Sequence, residues 1–184
     1  MESLLRFDNI DEINYYIKQT GDYNLSVREL KLKLINKEET VVSDFIKNPI
    51  VIRNKYNIDK EEITEKILKK LILEDLDNFL KELGTGFSYI ENEYKIKIGN
   101  TYNYIDLLLF NYIYNCFIVI ELKVTELKKE HIGQIQIYTN YVDKNIKTIN
   151  QDKTIGVIIC KKDNGYYIEY SSDNRIFSKN YILS

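Results

Sequence analysis

The stretch YIDLLLFNYIYNCFIVIELK, residues 104–123, limits the fold more than any other part of the chain. It is almost wholly apolar, yet it holds Asp106 near its start and Glu121 and Lys123 at its end. Desolvating an ionised side chain without a partner is costly, so these three charges must find compensation in the folded state. A membrane-spanning helix needs about 20 consecutive apolar residues, and Asp106, Asn111 and Asn115 interrupt this run. Two β-strands joined by a turn around Asn111–Asn115 fit the pattern. A hairpin of that length can fold Asp106 back beside Glu121. Side chains alternate along FIVIELK, which puts Glu121 and Lys123 on one face with Val119 and leaves Ile118, Ile120 and Leu122 on the other.

Two carboxylates at close range repel and raise the pKa of at least one of them, unless a cation neutralises both. Hard oxygen ligands of this kind suit Mg2+ or Mn2+, which keep waters and take phosphate oxygens as further ligands. A lysine beside such an ion can orient or help deprotonate an attacking water and stabilise developing charge. A structural ion pair of Lys123 with Asp106 or Glu121 accounts for the same residues without a metal.

Up to about residue 83 the hydrophobic period is helical. SVRELKLKLIN opens with a capping box, Ser26 and Glu29, and keeps Val27, Leu30 and Leu34 on one face. A second box, Asp59 with Glu62, opens KEEITEKILKKLILEDLDNFLKELG, the longest helix or helix pair expected, with Gly84 as a left-handed C-cap. Pro49 lies between the two blocks and marks the boundary of an N-terminal helical segment, 1–55, from a second domain, 56–184. After Gly84 the period becomes two, and GFSYIE, YKIKIG, YNYIDLLLF and NCFIVIELK read as successive strands. KEHIGQIQIYTNYVDKN returns to helical spacing, with Ile132, Ile135, Tyr138 and Val142 on a stripe. KTIGVIICK reads as a strand buried on both faces and GYYIEYS as a further strand. A helix crossing between two strands makes the strand near 154–160 parallel to the one bearing Glu121.

With 184 residues, 44% of them hydrophobic and 29% charged, the chain can bury a substantial core as one globular domain. The start MESLLRFDNIDE is acidic where a signal peptide would be basic, and Cys116 and Cys160 lie in apolar runs without a CxxC or Cys/His cluster. Both observations point to a reducing cytoplasm. A net charge of −2 argues against a generic nucleic-acid binder. The balance is uneven, however: residues 1–94 hold 14 basic and 19 acidic side chains, residues 95–184 hold 12 and 9. A polyanion should prefer the C-terminal half.

An Asp on one strand and Glu-x-Lys on the next, between helices in this order, resembles the PD-(D/E)xK nuclease pattern, with Ile105-Asp106 and Glu121-Leu122-Lys123 as its halves. The wider run YIDLLLFN…IVIELKVTELKKEHIGQIQIYTNYVD…TIGVIICK, with FLKELGTGFSYI before it, resembles the YhcG-type PD-(D/E)xK nuclease family over roughly residues 26–170. The resemblance implies an α/β, restriction-endonuclease-like core: a helix, a mixed sheet of three or four strands, a helix and a strand. It implies Mg2+- or Mn2+-dependent hydrolysis of phosphodiester bonds in DNA, with structure-specific cutting in recombination, repair or defence against foreign DNA as the expected setting. Asp106 and Glu121 become metal ligands and Lys123 the catalytic lysine. Gln134 and Tyr138 match a Gln-x-x-x-Tyr helix near such sites, and Glu82 matches an acidic residue of the first core helix that supports the metal. Members of the family usually carry a longer N-terminal region than the one preceding Ser26.

Each supporting residue also has a plainer reading. Glu82 can be a solvated helix-end carboxylate. Gln134 can be an exposed amide, although Gly133 beside it permits helix and sheet to approach closely. Tyr138 reads as core with a hydrogen-bonded hydroxyl, and His131, the single histidine, reads as surface rather than general base. Lys128 and Lys129, with Lys144, Lys147, Lys161 and Lys162, form either a phosphate-contacting rim or solvated faces. DNA is the expected partner and no membrane is involved; the N-terminal helices offer a surface for a homodimer or a protein partner. The alternative function is a module on the same fold that binds nucleic acid or protein without cutting. Retention of two costly carboxylates and the lysine favours the nuclease.

Overall fold

The computed structural model describes residues 46–162, 166–169 and 171–184, which fall in a unit beginning at Val42. The Ser26–Glu29 capping box and its helix lie outside the described residues. In chain order the elements are strand β1 (Ile50–Ile52), helices α1 (Glu65–Glu74) and α2 (Leu76–Leu83), and strands β2 (Phe87–Ile98), β3 (Thr101–Asn111) and β4 (Cys116–Glu126). Helix α3 (Lys129–Asn145), strand β5 (Ile155–Lys162), the one-turn helix α4 (Tyr166–Glu169) and strand β6 (Ile176–Leu183) follow. The strands form one six-stranded sheet in the order β1-β6-β5-β4-β3-β2. β2, β3 and β4 run antiparallel to their neighbours in this series, whereas β4 with β5, β5 with β6, and β6 with β1 are parallel. The expected β4–α3–β5 crossover joining parallel strands is present. The fold is α/β, a mixed six-stranded sheet with helices packed against it.

Packing follows the apolar stripes. Ile132, Ile135, Tyr138 and Val142 of α3 are buried with Leu108, Val119 and Ile158 of the sheet. α1 begins at Thr64, whose hydroxyl accepts the Ile67 N–H, and it buries Leu68, Leu71 and Ile72. The β3–β4 hairpin is fixed by buried Asn111: its side-chain oxygen accepts the N–H groups of Ile113 and Tyr114, and its amide nitrogen donates to the Thr85 carbonyl.

Several elements differ from the sequence reading, each for a physical reason. GFSYIE and YKIKIG form the single strand β2, kinked by a register shift between Tyr89 and Glu91 and by a positive φ of 51° at Glu93. The helical block starts at Thr64 rather than Asp59, whose carbonyl instead accepts Glu62 N–H in a turn, and it breaks at Asp75. That leaves α3, with 17 residues, as the longest helix among the described residues. Gly84 has a positive φ of 128°, but its ψ of −156° is extended, so the chain leaves α2 directly toward the sheet without a left-handed helical cap. GYYIEYS contains α4 rather than a strand; the last strand is IFSKNYIL, whose central Ser178, Lys179 and Asn180 hide it from a pattern of apolar runs. β1 is three residues long and joins the sheet by pairing with β6, so the sheet takes in residues on the N-terminal side of the expected 55/56 division.

Gly133 is exposed, with open space where a Cβ would stand. The close approach of helix to sheet occurs instead at Gly156, where a Cβ would lie 2.8 Å from Ile176 and 2.9 Å from Ile135. Gly156→Ala should therefore lower stability by roughly 1–3 kcal/mol through overpacking, while Gly133→Ala in an exposed helix interior should raise it by up to about 1 kcal/mol. Urea unfolding of both variants beside wild type reads the two opposite signs.

Candidate active site

β3 and β4 pair from Asn111↔Cys116 as far as Leu107↔Ile120, and there their pairing stops. Beyond this point β3 stays with β2, and β4 stays with β5. The next two residues in register are Asp106 and Glu121, and their side chains span the parting. Asp106 N–H donates to Glu121 Oε1 at 3.3 Å, and Leu122 N–H donates to Asp106 Oδ2 at 2.9 Å. Buried backbone donors require acceptors, so the carboxylates take over the ladder where the strands diverge.

Two lysines balance the two acids. Lys123 Nζ lies 3.5 Å from Glu121 Oε2. Lys69, from α1, places its Nζ 2.7 Å from Asp106 Oδ1 and 3.2 Å from Glu93 Oε1. Glu121 is 2% exposed, and burial, reinforced by Asp106 and opposed by Lys123, pushes its carboxyl up to about 8. Burial works against the Lys69 ammonium, but its bonds to Asp106 and Glu93 outweigh that and raise its pKa. Lys69 escaped the sequence reading because the run KILKKL gives it the same appearance as its exposed neighbours Lys66 and Lys70. Its helical phase beside Leu68 and Ile72, which face inward, was the available signal.

The remaining candidates are spread more widely. His131 is buried rather than on the surface: its backbone N–H donates to the Lys128 carbonyl, and its Nδ1 accepts the Lys128 N–H, both at 3.1 Å. Burial and the nearby Lys123 charge lower its pKa; protonation at Nδ1 would also break the bond to Lys128. Gln134, one turn along α3, donates from Nε2 to the Tyr138 hydroxyl at 3.0 Å, and Tyr138 is a core residue as expected. Lys128 and Lys129 are exposed at the start of α3. Glu82 is engaged elsewhere, with Lys47 at 3.0 Å and the Val51 N–H at 3.4 Å, and the Lys47 bond draws its pKa down. Of the two helical charges, Lys69 of α1 reaches the acids and Glu82 of α2 does not. A cleft of about 810 Å3 lies on the outer side of α3, around Arg175, and its lining includes none of these acids. Cys116 and Cys160 are both buried, and the Cys160 thiol donates to the Lys179 carbonyl at 3.8 Å.

Among the described residues no group of three or more His, Cys, Asp or Glu gathers to hold a metal ion. Asp106 and Glu121 are the two carboxyl groups that meet where β3 and β4 part. Such a pair fits Mg2+ or Mn2+, ions that need only one or two protein carboxylates and complete their coordination with water and phosphate oxygens.

Residues 43–183 match the family described as the YhcG PDDEXK nuclease domain. The chain belongs to that family. A curated relative, "Putative nuclease YhcG" of Escherichia coli (strain K12), is 24% identical over 179 aligned residues, which cover 85% of this chain and 47% of that protein. The chain therefore spans about half the length of the curated relative it matches. Among solved structures, a repair endonuclease from Pyrococcus abyssi is similar at 16% identity and a TM-score of 0.45, covering 65% of this chain and 47% of that one. EndoMS in a dsDNA complex is similar at 17% identity and a TM-score of 0.48, covering 67% of this chain and 48% of that one. The stretches Ile105-Asp106 and Glu121-Leu122-Lys123, which resemble the two halves of the PD-(D/E)xK pattern, meet at the parting of β3 and β4.

Glu121 carries a pH signature. Its folded-state value of about 8 lies above the ordinary 4.5, so the fold holds this proton more tightly than the unfolded chain does. The stabilising contribution is complete below about pH 4.5 and is lost as the pH rises through 8. Metal-free wild type should accordingly weaken across this window and Glu121→Gln should weaken less, the two diverging by a few kcal/mol at about 1.4 kcal/mol per pH unit. Urea midpoints at pH 5 and pH 8 in EDTA measure it; parallel losses in both proteins would locate the strain in another group.

Proposed function

We propose that this domain is a metal-dependent nuclease that hydrolyses phosphodiester bonds in DNA, with Asp106, Glu121 and Lys123 at its centre. The observation that carries this reading is the parting of β3 and β4, where the sheet gathers two carboxylates and an ammonium at one point. Family membership supports it, as does the nuclease name of the E. coli relative.

Asp106 and Glu121 would hold Mg2+ or Mn2+ through their carboxylate oxygens, and the ion when bound supplies a Lewis acid and a more acidic water. The Lys123 ammonium, 3.5 Å from Glu121, donates to the attacking water or to a phosphate oxygen and offsets the negative charge that grows during in-line displacement. The backbone bonds to Asp106 and Glu121 fix both acids before substrate arrives, so less ordering is left to the reaction itself. Lys128 and Lys129, at a helix start where backbone N–H groups also favour anions, contact the phosphates on either side. Glu82, bound to Lys47 and Val51, has no part in this reading. DNA recombination, repair or defence in the cytoplasm is the setting we associate with such an enzyme.

Wild type incubated with branched, double-stranded and single-stranded DNA should cut at least one of them with Mg2+ or Mn2+ and none in EDTA. Lys123→Ala should slow cutting by roughly 10²–10⁴-fold while binding is retained. A pure preparation that binds DNA yet cuts nothing in the panel would establish the non-cutting module instead. Mn2+ should also raise the wild-type melting temperature as RT ln(1 + [M]/Kd) requires, and raise that of Glu121→Gln far less. In salt titrations of binding, reversing Lys128 and Lys129 to Glu should flatten the dependence by about 0.9 log unit for each phosphate that is no longer neutralised.

A further inference from the structure

The β2–β3 ribbon runs on past the point where β3 leaves β4, and its two faces differ. Tyr94, Ile96 and Ile98 of β2 and Ile105 of β3 pack into the core. The opposite face carries Lys95 across from Tyr104 and Lys97 across from Tyr102, all four exposed, each tyrosine to 53%. Asp106 is the next residue on this open face, and Lys69 ties it to Glu93 of β2. At about 3.3 Å per residue, Tyr104 stands roughly 7 Å and Tyr102 roughly 13 Å along the strand from Asp106. The Lys95 ammonium lies 3.9 Å from the Tyr102 ring centroid and that of Lys97 lies 5.8 Å from it. β2 is the last strand of the sheet, so this ribbon forms its rim.

We propose that this face is a platform for unpaired bases of the substrate, with Tyr102 and Tyr104 stacking on successive bases and Lys95 and Lys97 holding the phosphates between them as the strand leads to Asp106. The proposal rests on the nuclease reading and narrows its substrate to DNA with a single-stranded stretch beside the cut. The physical ground is that the fold does not use these rings: the apolar face of the ribbon is supplied by the other alternation. Aromatic rings interleaved with cations bind single strands with little sequence preference, because every base offers a π-face. Bases inside a duplex have both faces covered by their neighbours, so a duplex gains only the phosphate contacts. The lysine over Tyr102 shows that this ring face accepts a partner, and a phosphate draws the ammonium aside as a base takes its place.

The test is fluorescence anisotropy of the full chain in EDTA, with a labelled oligo-dT strand and a blunt duplex of equal length. Tyr102→Ala/Tyr104→Ala should lose about 100-fold in affinity for the single strand, at roughly tenfold per stacked base, and less than threefold for the duplex. Tyr102→Phe/Tyr104→Phe should keep both affinities. Because the chain contains no tryptophan, Tyr104→Trp adds a single indole, whose emission the oligo-dT strand should quench and the duplex should leave nearly unchanged. That readout decides the matter even if the double alanine variant is less stable. Equal losses on both DNAs, no loss on either, or an indole indifferent to the single strand would overturn the platform. A wild type that cuts duplex DNA while these variants bind normally overturns the platform alone, whereas one that binds neither DNA removes the nuclease reading with it.

Discussion

The structure depends on one exchange of hydrogen bonds. Where β3 and β4 separate, two backbone N–H groups would lose their ladder partners, and the Asp106 and Glu121 carboxylates accept them instead. A sheet can fork in its interior only if the freed donors are satisfied. The acids are therefore architectural and chemical at once, since each closes one side of the gap and each brings a carboxyl group to it. Side chains without acceptor oxygens could not hold the fork open, and a fully paired ladder would leave no gap in which to gather these groups.

Charge balance at the fork comes from two sources of different origin. Lys123 arrives by strand alternation, two residues after Glu121, and needs only β4 to be extended. Lys69 arrives from α1, far away in sequence, and needs the helix packed with Leu68, Leu71 and Ile72 inward. The pairing is unequal. Glu121 is almost fully buried beside a lysine at 3.5 Å, and its carboxyl is pushed up to about 8; Asp106 meets its lysine at 2.7 Å. An added cation would relieve Glu121 most, which is the physical content of reading this point as a metal site.

α3 connects the fork to the rest of the molecule. Its apolar stripe seats it on β4 and β5, with Gly156 leaving room for Ile135, and this sets where its first turn lies. That turn holds His131, locked to the Lys128 backbone and close enough to Lys123 to feel its charge. Lys128 and Lys129 remain outside. The helix thus presents cations at its surface while its buried histidine stays less basic than usual.

The sequence by itself determined the elements whose pattern is local. Alternation along residues 104–123 gave the hairpin, the shared face of Glu121 and Lys123, and the return of Asp106; helical spacing from Ile132 to Val142 gave α3 and hence a parallel β5. These readings rest on periodicity and on the cost of burying charge, both of which act within a few residues. What only the tertiary structure decided depends on partners distant along the chain. β1 and β6 are too short or too polar to be seen until each is paired, and β2 carries a register shift between Tyr89 and Glu91 and a positive φ at Glu93 that only its pairing with β3 reveals as one strand. The same limit explains the side chains: Glu82 and Lys69 lie on neighbouring helices and look alike as surface charges, yet packing turns Lys69 onto Asp106 and leaves Glu82 with Lys47. The phase of Lys69 beside buried Leu68 and Ile72 turns it toward the sheet, but that α1 lies over Asp106 is decided only when helix and sheet pack together.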